Sequence, residues 1–196
     1  NTLLEPVVDM RRLRHDRLRK TQREMALRDI GALVLTDIMN IRYTTGISVM
    51  PLWTATNLAH YTLVPAEGDP IVWEYGLAQF RVEPFWSGVR LARFWQARFA
   101  DQFAAERSDE WAAEIADVLR SWGVADAKIG IDCLDFYGFQ ALQKQGLTLA
   151  DADEPVEAAR MIKTTDEIHL MKQSCAVAEA ALYDLEQAIR PGITEN

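Results

Sequence analysis

The chain has 196 residues, 49% of them apolar and 26% charged, which is the composition of a folded globular protein and excludes bulk disorder. Its formal net charge of −8 excludes the usual nucleic-acid binder, which neutralises phosphates with lysine and arginine. No apolar run approaches the ~20 residues of a membrane-spanning helix and no signal-peptide pattern opens the chain, so it reads as soluble and cytoplasmic, with neither nucleic acid nor membrane as partner.

The first predicted element is a helix over Asp9–Ile30, with Asp9 as N-cap and Gly31 just past its end. Met10, Leu13, Leu18, Thr21 and Met25 share one arc of it. Arg14 and Arg17 fall in the same arc, so one arginine is expected to lie partly buried against a carboxylate. The basic run Arg11–Lys20 has acids before, within and after it, Asp9, Asp16, Glu24 and Asp29, and reads as a solvated helix face. Ala32–Asp37 then has the short apolar pattern of a buried strand. The next stretch, Asp37–Trp53, mixes a strand-like run with a loop that carries Trp53.

His60–Tyr75 is two apolar segments around a Pro, Gly and Asp turn, a β-hairpin, and Gly88–Trp95 alternates as a further strand. Asp109–Trp122 places Trp111, Ile115, Val118, Leu119 and Trp122 at helical spacing before Gly123. A strand over Lys128–Asp132, a short helix near Asp135–Lys144 and a weak strand over Leu147–Ala150 follow. The acids of Asp151–Pro155 read as a solvated linker. Helices alternating with strands, plus one hairpin, predict an α/β fold with a mixed β-sheet flanked by helices.

A last helix begins at the capping-box pair Thr164 and Glu167 and stops at Pro191–Gly192. Along it Ile168, Met171, Cys175, Ala178, Leu182, Leu185 and Ile189 form an apolar stripe that wants a partner surface, either a coiled-coil seam or a second domain beyond Asn196. Both ends of the chain read as cuts in something longer.

Chemistry is sparse. His15, His60 and His169 lack the spacing of a local metal motif, no serine sits in a GxSxG elbow, and no glycine-rich segment matches a P-loop or dinucleotide fingerprint. Cys133 and Cys175 form neither a CxxC pair nor a disulfide framework, and read as small buried side chains. No catalytic residue and no metal ligand is assigned from the residues themselves.

Two segments nevertheless resemble a known family. The stretch "RLRHDRLRKTQREMALRDIGALVLTDIMNIRYTTG" is similar to the opening of the creatinase/prolidase N-terminal domain, and Arg160–Glu195 is similar to its junction with the catalytic pita-bread domain. The resemblance implies an N-terminal-like domain over 1–158, then a linker and the first helix of the catalytic domain over 159–196. It implies a homodimeric, dinuclear-metal hydrolase acting on Xaa-Pro peptides or another small molecule. Two divalent metals (Mn, Fe, Co or Zn) are expected in the whole enzyme, on ligands downstream of Asn196, with no cofactor and no catalysis in this stretch.

In dimeric members the loop after the "NIRYTTG" segment shapes the substrate pocket of the neighbouring subunit. Carried over, this names Met50, Trp53, Asn57 and His60 as lining residues; the residues alone equally allow Met50 and Trp53 to cover the domain's own core. Asn40, Arg42, Tyr43 and Gly46 read as structural, Gly46 for a tight turn. "NIRYTTGISVMPLWTATN" with "IVWEY" is also similar to the dimethylsulfoniopropionate lyase branch, in which Trp53 would face a sulfonium cation. The same two-domain fold occurs in histone-chaperone subunits, which implies a non-enzymatic binding module as the remaining alternative.

Overall fold

The computed structural model describes residues 8–48, 60–76, 78–82, 84–96 and 100–194. The chain divides into two compact units, Arg14–Met161 and a second made of Asn1–Leu13 with Ile162–Asn196.

The larger unit is built on six strands: β1 (Ile30–Leu35), β2 (His60–Pro65), β3 (Ile71–Glu74), β4 (Gly88–Leu91), β5 (Lys128–Ile131) and β6 (Thr148–Asp151). They lie in the order β4-β3-β2-β1-β5-β6. Only β2 runs against its neighbours: it pairs antiparallel with β1 and β3, while β3–β4, β1–β5 and β5–β6 are parallel. The hairpin His60–Tyr75 and the mixed sheet are as the sequence predicts.

Alternation along the strands sorts the core into two layers. Ala32 and Val34 of β1, Tyr61 and Leu63 of β2 and Trp73 of β3 pack with Trp111, Ile115 and Leu119 of α3 (Ala104–Ser121) and Leu142 of α4 (Phe136–Lys144). Leu33 and Leu35, with Val64 and Val72, face the opposite way. They pack with Leu18 and Met25 of α1 (Met10–Ala26), Ile41 and Tyr43 of α2 (Ile38–Thr45) and Val156 of α5 (Asp153–Met161). The first layer is unusually aromatic: Trp95 stacks on Trp111 with ring centres 4.2 Å apart, and Tyr61 stacks on Trp73 at 5.2 Å.

Several expectations are corrected. The first helix stops at Ala26, because Asp29 takes a left-handed backbone (φ 57°) and Ile30 is already in β1, paired with β5. Of its arc, Leu13, Leu18, Thr21 and Met25 are buried, but Met10 is 47% exposed. Arg14 and Arg17 are both half-buried, as expected of one of them, and each also lies over a ring: Arg14 4.1 Å over Phe85 and Arg17 5.1 Å over Tyr43.

The strand-like run after Asp37 is the helix α2. Asp37 accepts from the backbone N–H of Met39 and Asn40 at its start, and the hydroxyls of Thr44 and Thr45 donate to carbonyls one turn back. These bonds outweigh the extended preference of its β-branched residues. Gly46 closes it in the left-handed conformation (φ 74°), the turn expected of that glycine.

The strand β4 ends at Leu91, well short of Trp95, and α3 begins five residues before Asp109. The acids of Asp151–Pro155 are no linker: Asp151 accepts from the N–H of Asp153 and Glu154 and starts α5. Both cysteines are exposed, contrary to their assignment as buried side chains.

In the smaller unit α6 (Thr165–Ala188) opens with the expected capping box, the Thr164 hydroxyl accepting from Glu167 N and the Glu167 carboxylate from Thr164 N. Arg12 forks onto Asp166 at 2.7 and 2.8 Å and holds its carboxyl below the usual carboxylate range. Ile168, Met171, Leu182, Leu185 and Ile189 are all more than 40% exposed.

Gly138 sits in the first turn of α4 against the Trp95 ring, which an added Cβ would strike. A helical Gly→Ala change ordinarily stabilises by up to ~1 kcal/mol. Here Gly138→Ala is expected to destabilise by about 1–3 kcal/mol through overpacking, read as a lowered midpoint in urea unfolding; a raised midpoint would contradict the packing of α4 on Trp95.

Candidate functional site

Because β2 alone is reversed, one edge of the sheet gathers the C-terminal ends of the other five strands and the N-terminal end of β2. The residues that follow those ends are Thr36 and Asp37 after β1, Tyr75 after β3, Ala92 and Arg93 after β4, Asp132 and Cys133 after β5, and Ala152 and Asp153 after β6. Polar side chains converge there in two groups.

The first group is at the hairpin. His60, the first residue of β2, stands opposite Glu74, the last of β3, and both are buried. Imidazole Nδ1 lies 2.7 Å from Glu74 Oε2, and the other carboxylate oxygen accepts from Tyr75 N at 2.9 Å. The carboxylate thereby fixes the imidazole ring on the strand that emerges from residues 49–59. On the other side of those residues, Ile47 N donates to Thr45 Oγ1 and the Trp86 indole N–H donates to Thr45 O at 2.8 Å. Buried polar contacts therefore hold the chain on both sides of the segment, a hydrogen bond before it and an imidazole–carboxylate pair after it.

The second group surrounds Asp132 at the end of β5. Its Oδ1 accepts from Thr36 N (2.8 Å) and Cys133 N (2.6 Å), its Oδ2 from Asp37 N (3.0 Å) and the Asn40 amide (3.3 Å). The Thr36 hydroxyl lies 3.1 Å from Oδ1 and also bonds to Cys133 O. Asn40 Nδ2 donates in addition to Asp153 Oδ1 at 2.9 Å. Burial pushes the Asp132 carboxyl up, against the hydrogen bonds from Thr36, Asp37, Cys133 and Asn40, which pull it down. Burial and the neighbouring acids also raise the Cys133 thiol, which disfavours a thiolate nucleophile.

A third feature is an open groove of about 680 Å³ beside β4 and α3, lined by Arg90, Arg93, Glu110, Glu114 and Asp117. Charges within it pair with one another: Arg93 Nε meets Glu114 at 2.8 Å and Arg93 Nη1 meets Glu110 at 3.4 Å. Glu114 also accepts from the Trp73 indole, so the groove wall is tied to the core.

Of the residues predicted to line a pocket, His60 is placed in the hairpin group, and Met50, Trp53 and Asn57 lie outside the described residues. Among the described residues, no group of three or more His, Cys, Asp or Glu side chains could hold a metal ion, and no helix is long and apolar enough to cross a membrane. The implied dinuclear metal centre thus has no ligand set on these residues. Sequence reasoning missed Glu74, Asp132 and the double role of Asn40. Glu74 was recoverable, since a hairpin with its turn over Ala66–Pro70 sets His60 opposite it.

Residues 17–162 match the family model described as "Creatinase/Prolidase N-terminal domain". The dimethylsulfoniopropionate lyases DddP of Roseovarius nubinhibens and Roseobacter denitrificans are 28% and 31% identical over 194 residues, 95% of this chain. The chain spans 42% of the length of each. Among solved structures, a dipeptidase from Pyrococcus horikoshii superposes with TM-score 0.65 at 19% identity, over 91% of this chain and 46% of that one. An Xaa-Pro aminopeptidase structure from Streptococcus pyogenes superposes with TM-score 0.54 at 21% identity, over 76% of this chain and 99% of that one. At such identities the structures establish the shared fold.

A buried imidazole held by a carboxylate should be strongly coupled to it. A double-mutant cycle with His60→Ala and Glu74→Ala is expected to give a coupling of about 1–3 kcal/mol in unfolding free energy, and strictly additive losses would refute the pair.

Proposed function

The chain belongs to the creatinase/prolidase N-terminal domain family, and on that premise we propose that it serves a dimethylsulfoniopropionate lyase as a positioning domain rather than as the seat of the chemistry. The observation that supports this reading is the match to two such lyases over 194 residues, 95% of this chain. The second reading, Xaa-Pro peptide hydrolysis, is favoured by the shared fold of the peptidase structures.

The lyase reaction removes a proton from the carbon beside the substrate carboxylate. That electron pair forms the carbon–carbon double bond of acrylate as the carbon–sulfur bond breaks, and dimethyl sulfide leaves neutral with the sulfonium bonding pair. A sulfonium cation is recognised by an aromatic face. In this reading Trp53 supplies that face to the pocket of a neighbouring subunit in a homodimer, with Met50, Asn57 and the His60 strand completing the wall. The described residues contribute anchorage: Gly46, Thr45 and Trp86 before the segment, and His60 with Glu74 after it. A domain with two fixed attachment points delivers a loop at low entropic expense, which is what positioning a substrate requires.

The test is turnover by the whole metal-loaded protein of dimethylsulfoniopropionate, followed as acrylate release, against a panel of Xaa-Pro dipeptides. Trp53→Ala is expected to raise KM for dimethylsulfoniopropionate about 30-fold, the worth of a desolvated cation–π contact of about 2 kcal/mol, with Trp53→Phe intermediate. Turnover confined to the dipeptides would transfer the assignment to the second reading, and an unchanged KM in Trp53→Ala would remove Trp53 from the pocket.

A further inference from the structure

In open α/β sheets, ligands settle in the crevice outside the carboxyl ends of parallel strands, at the point where successive connections leave for opposite faces of the sheet. This sheet has such a point at β5. The chain leaves β1 for α2 and β6 for α5, both in the core layer of Leu33, Leu35 and Val156. From β5 it leaves for α4, in the opposite layer with Val34, Ile129 and Leu142. The crevice at the end of β5 is therefore bounded by the β1–α2 turn on one side and the start of α5 on the other.

The position is filled by the chain itself. The Asp132 carboxylate takes hydrogen bonds from Thr36 N and Asp37 N across the crevice and from Cys133 N on its own strand. The Asn40 amide, on α2, closes it by bridging Asp132 to Asp153 of α5. A small anionic ligand at a switch point would be held by the same kinds of donor, backbone N–H groups from the turn and the first turn of the helix beyond.

We propose that Asp132 is a built-in occupant of the switch-point crevice, an internal monocarboxylate that takes the place of a ligand and locks the β1–α2 turn to β5. The domain then receives no small molecule at the position where its architecture would otherwise offer one. Substrate contact is left to other surfaces, whichever substrate the whole protein takes.

Removing the side chain should turn the crevice into a site for an external carboxylate. In the whole chain, Asp132→Ala is expected to melt below the parent and to recover by about 3 °C in ~100 mM sodium formate relative to sodium chloride at equal ionic strength. Asp132→Gly, which also lacks the Cβ, is expected to prefer acetate. The parent and Asp132→Asn, whose crevice remains filled, are expected to show no such difference. A variant that does not fold in chloride is refolded from denaturant in each salt, and native circular dichroism regained only in the carboxylate supports the proposal. It is overturned if formate and chloride act alike on Asp132→Ala, if no carboxylate restores folding, or if Asp132→Asn responds as strongly as Asp132→Ala.

Discussion

A sheet covered on both faces has to send its connections both ways, and every such departure strips backbone N–H groups of their strand partners before a helix begins. That constraint organises the larger unit. β1 is buried on each side, Ala32 and Val34 in one layer and Leu33 and Leu35 in the other. The turns that follow the strands are satisfied by aspartates. Asp37 serves Met39 and Asn40, Asp132 serves Thr36, Asp37 and Cys133, Asp135 serves Gly138, and Asp151 serves Asp153 and Glu154. With Asp9 at α1 and Glu167 at α6 doing the same, part of the acidic balance of the chain has a local structural use.

The sequence made the sheet and its hairpin legible because their apolar runs are bounded by turn residues that permit little else. Val34 between Leu33 and Leu35, or Ile129 before Gly130, can hardly be anything but buried strand. The capping box of α6 was readable for the same reason: Thr164 and Glu167 satisfy each other locally. What misled was chemistry decided at a distance. The threonines of Ile38–Thr45 look extended by propensity, but their hydroxyls return to the helix backbone, and Asp37 supplies the cap. Asp151–Pro155 looks like linker by charge, yet the charge is a helix start.

The candidate site was legible in outline only. His60 could be singled out as the histidine at the end of the segment after α2, but its partner Glu74 comes from across the hairpin and is visible only through register. The arginines of α1 show the same limit: their place in the apolar arc was clear, and the rings of Phe85 and Tyr43 that receive them lie far along the chain. Asp132 gave no signal at all, because a single aspartate after a strand is an ordinary turn residue until Thr36, Asp37 and Asn40 arrive from β1 and α2.

These two polar groups divide the work at one sheet edge. The His60–Glu74 pair and the Thr45–Trp86 bond fix the backbone on both sides of residues 49–59, while Asp132 fixes the turn from which α2 departs. Hydrogen bonds to a charged group contribute about 1.5–3 kcal/mol each, and several converging on one carboxylate leave the α2 start little freedom. Since α2 leads directly through Gly46 into that segment, rigidity at the end of β5 is passed on to the segment's attachment point. A domain built this way keeps the backbone donors at the ends of β1 and β5 occupied internally and holds both attachment points of residues 49–59 on a stiff frame.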